Sequence, residues 1–154
     1  DKIITYFQDK KIDEKELEIL LDLKINDDFN LLRDEALKGN IHNTNKLLSE
    51  TMLEEEKNVY YLNLINTRLN RIKELKKLAV NKNIEAAISD IKPPIFWKEK
   101  DDFLSQVKKW DSQKISKILQ RTYDLEVKIK SNSLINKNSL MKKLIVDLCT
   151  LANS

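Results

Sequence analysis

Apolar residues recur along this chain at intervals of three and four, and no stretch alternates in the way a half-buried strand does. The clearest example is Tyr61, Ile65, Leu69, Ile72, Leu75 and Ala79, which form one stripe of a long helix predicted over about 56–81. Ile115, Ile118, Leu119, Thr122, Leu125 and Ile129 make a second such stripe, behind Asp111 as N-cap. A last helix, about 138–152, uses Leu140, Leu144, Leu148 and Leu151.

Shorter elements fill the rest. Residues 1–10 hold an apolar cluster of ambiguous type, Ile3, Ile4, Tyr6 and Phe7. Asp13 is placed to cap a short helix with Leu17, Leu20 and Leu21, and Glu14 and Glu16 suit its first turn. Asp27 or Asp28 is placed to cap the next helix, which presents Phe29, Leu32 and Ala36 and stops at Gly39. Asn43 is read as the cap of a helix running through Met52, burying Leu47, Leu48 and Met52. A short helix, about 83–90, precedes Pro93-Pro94. Pro94 then suits the first turn of a helix carrying Phe96, Phe103, Leu104 and Val107 and ending near Trp110. The expectation is an all-α fold: a compact multi-helix array of about seven helices, with a boundary near Leu23–Asn26.

Composition narrows the chemistry. Of 154 residues, one is Gly, one His and one Cys, so glycine-rich phosphate loops, Cys/His zinc clusters and internal disulfides all lack parts. Cys149 lies among apolar residues and reads as a buried thiol of a cytoplasmic protein. His42 reads as a surface histidine in a link or at a helix start. Carboxylates are strewn along polar faces, and nothing marks two of them as an acid/base pair. The motifs of P-loops, zinc proteases and serine hydrolases are absent. The expectation is a chain with no catalytic residue, cofactor or metal of its own. No apolar run approaches the ~20 residues of a membrane span. The chain opens on Asp1, which reads as a piece of a longer polypeptide.

Charge is uneven. The net +3 divides into −4 over residues 1–50 and +7 over 51–154. Lysine outnumbers arginine 24 to four, beside 15 Asn and 17 Ile, so part of the basic excess reflects A/T-rich codons. Two features still invite a functional reading. Lys114, Lys117, Arg121 and Lys128 share one face of their helix, either a solvated surface or one that tracks phosphates. Pro93-Pro94-Ile95-Phe96-Trp97 stiffens the backbone before two adjacent aromatics, with Lys98 and Lys100 beside them. Neighbours on a helix point about 100° apart, so one ring is expected in the core and the other partly exposed. The exposed one would serve as a partner contact or a stacking platform.

The order of these features resembles the collar region of the bacterial DNA polymerase III delta subunit, a clamp-loader component. The resemblance is carried by Phe29–Asn40 with its Asp34-Glu35-Ala36 and Gly39, by the paired Leu47-Leu48, and by the long helix with its basic run from Arg68 to Lys77. It continues through Pro93-Pro94-Ile95-Phe96-Trp97-Lys98, Trp110, Glu126 with Lys130, and the leucine-rich terminal helix. It implies a lid-domain remnant of an AAA+-like fold over 1–24 and an oligomerisation collar over 25–154. It also implies assembly with tau/gamma and delta-prime subunits, and primed DNA held within the loader. The sliding clamp would be bound only by an N-terminal domain lying outside this sequence. A helical protein-binding adaptor and a small basic nucleic-acid-binding domain are the alternatives.

Overall fold

The computed structural model describes residues 14–132 and 134–154. Those residues form seven α-helices and no strand: α1 Glu14–Leu37, α2 Ile41–Glu50, α3 Asn58–Leu78, α4 Ile84–Asp90, α5 Lys100–Lys109, α6 Ser112–Ser131 and α7 Lys137–Ala152. The all-α array expected from the periodicity is therefore present. The cluster at Ile3–Phe7, the cap at Asp13 and most of the 1–24 segment lie outside the described residues.

Local chemistry starts most helices where a short polar side chain can take a bare N–H. Asp111 Oδ1 accepts from the Lys114 N–H at 2.8 Å, Asn83 from Ala86 at 2.7 Å, and Asn136 from Ser139 at 3.0 Å. The cap of α2 is Asn40, not Asn43: Asn40 Oδ1 accepts from the Asn43 N–H at 3.1 Å. Gly39 turns the chain with φ +75°, the left-handed conformation that ends α1. Single 3₁₀ turns, Glu55–Lys57 and Trp97–Glu99, lead into α3 and α5 without side-chain caps.

Three expectations fail at helix ends. α1 runs unbroken through Asp27 and Asp28. Leu21, Ile25, Phe29, Leu32 and Ala36 keep one face in phase across the expected boundary, and no Gly or Pro interrupts it. A cap needs extended backbone, which these aspartates do not adopt. Pro94 lies outside α5, and Phe96 with it. α2 ends at Glu50, so Met52 falls in the following link and is 69% exposed, whereas Thr44 is buried.

The core begins on α1 at Phe29, whose ring stacks on Tyr61 with centroids 4.4 Å apart. Leu32, Ala36 and Leu37 continue it against the α3 stripe. α6 supplies Ile115, Ile118 and Ile129, and α7 supplies Met141, Leu144, Ile145 and Leu148. In α7 the buried face is centred on these residues, so Leu140 and Leu151 are only half-buried. Cys149 is buried, and His42 is exposed on the first turn of α2. None of the described side chains of α1 before Phe29 is buried, and Ile19, Leu21 and Leu23 stand exposed.

Candidate functional site

The segment between α4 and α5 is pinned at its edges and bare in its middle. Ile91 is buried and Ile95 packs against the core from a half-buried position. Arg71 on α3 donates from Nη2 to the Pro93 carbonyl at 2.5 Å. On the far side, Lys100 meets Glu85 of α4 at 3.1 Å, and Glu99 lies 3.8 Å from Arg68 of α3. Between these fastened flanks Phe96, Trp97 and Lys98 are exposed.

Phe96 is 55% exposed and Trp97 73% exposed. The expectation that one of them enters the core is therefore wrong. Ile91 and Ile95 fill that role, and the 3₁₀ turn that starts at Trp97 carries both rings away from the core. The two rings tilt at 55° with centroids 5.9 Å apart. Lys98 Nζ sits 5.4 Å from the Trp97 ring centroid, within cation–π range. Phe96, Trp97 and Lys98 thus form one small knuckle of aromatic faces and positive charge. It offers a π-surface to a planar group and a cation to a phosphate or carboxylate.

The α6 stripe is a different matter. Lys114 Nζ donates to the Lys109 carbonyl at 3.2 Å and the Ser154 carbonyl at 2.8 Å, fastening the end of the chain. Arg121 pairs with Asp147 of α7 at 3.6 Å, and Glu126 with Lys130 at 3.5 Å. Lys117 and Lys128 are exposed. Lys114 and Arg121 are engaged with α5, α7 and the C-terminus, so the stripe is not one uniform row of solvent-facing cations. Its contacts do not run to the knuckle.

A cluster that the sequence did not flag joins α1, α3 and α5. Arg68 donates from Nε to Gln106 Oε1 at 2.8 Å, and Gln106 donates from Nε2 to the Asp34 carbonyl at 3.1 Å. The Asp34 carboxylate lies 2.9 Å from Arg33 and 3.7 Å from Arg68, and Arg33 also donates to the Leu64 carbonyl at 3.1 Å. The Arg68 guanidinium rests 4.9 Å from the Phe103 ring centroid. Burial lowers the pKa of Arg68, with Asp34 opposing that effect. Lys38 bridges outward to Asp102 at 2.9 Å and Glu35 at 3.2 Å. The contacts of Arg68, Gln106, Asp34 and Arg33, with that of Lys38 to Asp102, tie α1, α3 and α5 together.

Among the described residues no group of three or more His, Cys, Asp and Glu side chains could hold a metal ion. No described helix is long and apolar enough to cross a membrane. No protein-family model, curated protein or solved structure matches the chain.

Proposed function

We propose that this chain is a non-catalytic part of the bacterial DNA polymerase III clamp loader, the collar region of its delta subunit, working in the cytoplasm during sliding-clamp loading. Such a part acts by presenting surfaces to neighbouring subunits and to DNA, and has no need of reactive groups. The reading rests on the order of features from Phe29–Gly39 to the terminal helix. The observation that takes it furthest is the knuckle: Phe96 and Trp97 are displayed on the surface beside Lys98 instead of serving the core.

In that role the collar face meets tau/gamma and delta-prime subunits, and the knuckle stacks on template bases as the single strand leaves the loader. Sequence-tolerant stacking suits such a path, because every base offers a π-face and each stack contributes roughly 1–3 kcal/mol. Any contact with the sliding clamp would be made by an N-terminal domain outside this sequence.

The test has two arms. The full-length gene product should co-purify with tau/gamma and delta-prime. In the assembled loader, Phe96→Leu and Trp97→Leu should each weaken binding to primed template with a 5′ overhang, by about tenfold for the ring that stacks. Failure of the first arm removes the clamp-loader reading. Failure of the second alone removes only the template contact. Salt-dependent DNA binding by the isolated chain, with no subunit co-purifying, would favour a small nucleic-acid-binding domain instead.

A further inference from the structure

A groove of about 640 Å³ runs between the N-terminal half of α1 and the link from α2 to α3. Its apolar floor is Leu21, Ile25 and Met52. Leu21 is 45% exposed and Met52 69%. A methionine this exposed, lining the same groove as two aliphatic residues, is an adaptable apolar contact.

The charged positions follow a pattern. Along α1, Glu18, Leu21, Ile25 and Asp28 are spaced by three, four and three, so they share one helix face in the order acid, apolar, apolar, acid. The opposite wall repeats the motif with Glu50, Met52 and Glu54. Lys24 is the basic residue in the lining, and Glu54 is partly balanced by Lys57 at 3.5 Å. From Glu18 to Asp28 the strip is about 15 Å long, or roughly three helical turns.

We infer that this groove docks a basic amphipathic helix of a partner protein. The apolar floor takes the hydrophobic stripe of such a helix, read at i, i+3, i+4 and i+7. The carboxylates on both walls meet Lys or Arg flanking that stripe, which fixes its placement and speeds encounter. The same carboxylates repel phosphates, which argues against nucleic acid or an anionic lipid surface as the occupant. The inference uses only the lining of the groove and does not rest on the clamp-loader reading, so either can fail without the other.

The probe is a fluorescent helical peptide of about four turns, built from Leu and Lys, with a matched peptide carrying Glu in place of Lys. Binding to the full chain is followed by anisotropy. The Lys peptide should bind at least about tenfold tighter than the Glu peptide and weaken as salt rises. The double variant Leu21→Ser with Met52→Ser should lose about tenfold or more of that affinity. Glu18→Lys with Glu50→Lys should reverse the preference between peptides. Circular dichroism checks that each variant keeps its helices; all four positions are exposed, so the fold should survive. Equal binding of the two peptides, or no effect of either double variant, overturns the inference. So does self-association of the chain that Met52→Ser abolishes, which would assign the groove to a second copy. A tenfold gain in peptide affinity on replacing Tyr6 and Phe7 with Ser would assign it to the chain's own N-terminal segment, and would equally overturn it.

Discussion

The Trp110 indole N–H donates to the Leu37 carbonyl at 2.8 Å, across 73 residues of sequence. Leu37 is the last residue of α1, where carbonyls lack helical partners. Trp110 is 1% exposed and also sits just ahead of the Asp111 cap of α6. One side chain therefore closes the end of one helix and packs at the start of another. Trp110→Ala should cost about 3–5 kcal/mol. Trp110→Phe keeps most of the bulk but strands the carbonyl, and should cost about 1–3 kcal/mol. Urea unfolding of both variants measures this, and an unchanged midpoint for Trp110→Ala would contradict it.

The turn after α1 depends on the far end of the chain. Asn153 Nδ2 donates to the Gly39 carbonyl at 2.8 Å, and a Cβ at Gly39 would collide with the Asn153 side chain. Positive φ adds strain for any L residue there. Gly39→Ala should destabilise the fold by more than about 1 kcal/mol. In an Asn153→Ala background the penalty should shrink, because the collision is gone while the strain remains. A double-mutant cycle by thermal or urea unfolding reads the difference.

The buried cluster around Arg68 should behave as a unit. Gln106→Leu preserves volume but leaves the buried Arg68 Nε–H without its hydrogen-bond partner, whereas the Asp34 carbonyl still accepts from the Lys38 N–H at 3.1 Å. The stranded Arg68 donor should cost about 1–3 kcal/mol. Adding Arg68→Met removes that stranded group, so the double variant should lose less than the sum of the singles. Strict additivity in urea unfolding would show that the contacts are not coupled.

The sequence is legible where structure is set within a few residues. The caps at Asn83, Asp111 and Asn136 and the stop at Gly39 depend on neighbours three positions away, and Asp111 and Gly39 could be named in advance for that reason. The α3 stripe was legible because its period of three and four runs over five turns. Asp27 and Asp28 misled, since an aspartate that suits a cap also tolerates a helix interior once the apolar face runs on in phase. Phe96 and Trp97 misled for another reason. Aromatic character says that a ring gains by burial, but which residue of the segment is buried depends on Ile91, Ile95 and the Arg71 hydrogen bond to Pro93. The Arg68–Gln106–Asp34 cluster was invisible because its members lie 38 and 72 residues apart.

Alkaline pH should weaken the fold through two groups. Burial lowers the Lys38 pKa, but hydrogen bonds to Asp102 and Glu35 outweigh it, and the net shift is upward from 10.5. Burial raises the Tyr61 phenol from 10.0, only partly offset by the Glu54 backbone N–H that it accepts. For both, the folded state holds the proton more tightly than the unfolded chain. Their stabilisation is thus complete below about pH 10 and is lost as pH rises through the folded values. Urea midpoints taken from pH 8 upward should fall above that point, and Lys38→Gln should flatten the fall. A Lys38→Gln profile parallel to the parent's would show that Lys38 contributes none of it.

The two tryptophans report separately on the core and the knuckle. Trp97 is 73% exposed, whereas Trp110 is 1% exposed with its N–H occupied. Acrylamide should therefore quench one emitting population readily and the other poorly. Trp97→Phe should abolish the accessible population, leave a blue-shifted spectrum from Trp110, and alter stability by no more than about 0.5 kcal/mol, as expected for a surface site. Lys98 near the Trp97 ring adds a second check: iodide, drawn by the positive charge, should quench Trp97 more strongly than caesium does, and Lys98→Gln should narrow that gap. If the knuckle stacks on single-stranded DNA as proposed, bound oligonucleotide should cover the ring and reduce acrylamide access to Trp97, with Trp110 unchanged. If Trp97→Phe instead destabilised the fold by 2 kcal/mol or more, on the scale of losing a buried apolar group, the ring would belong to the core and the exposed knuckle could not serve as a stacking platform.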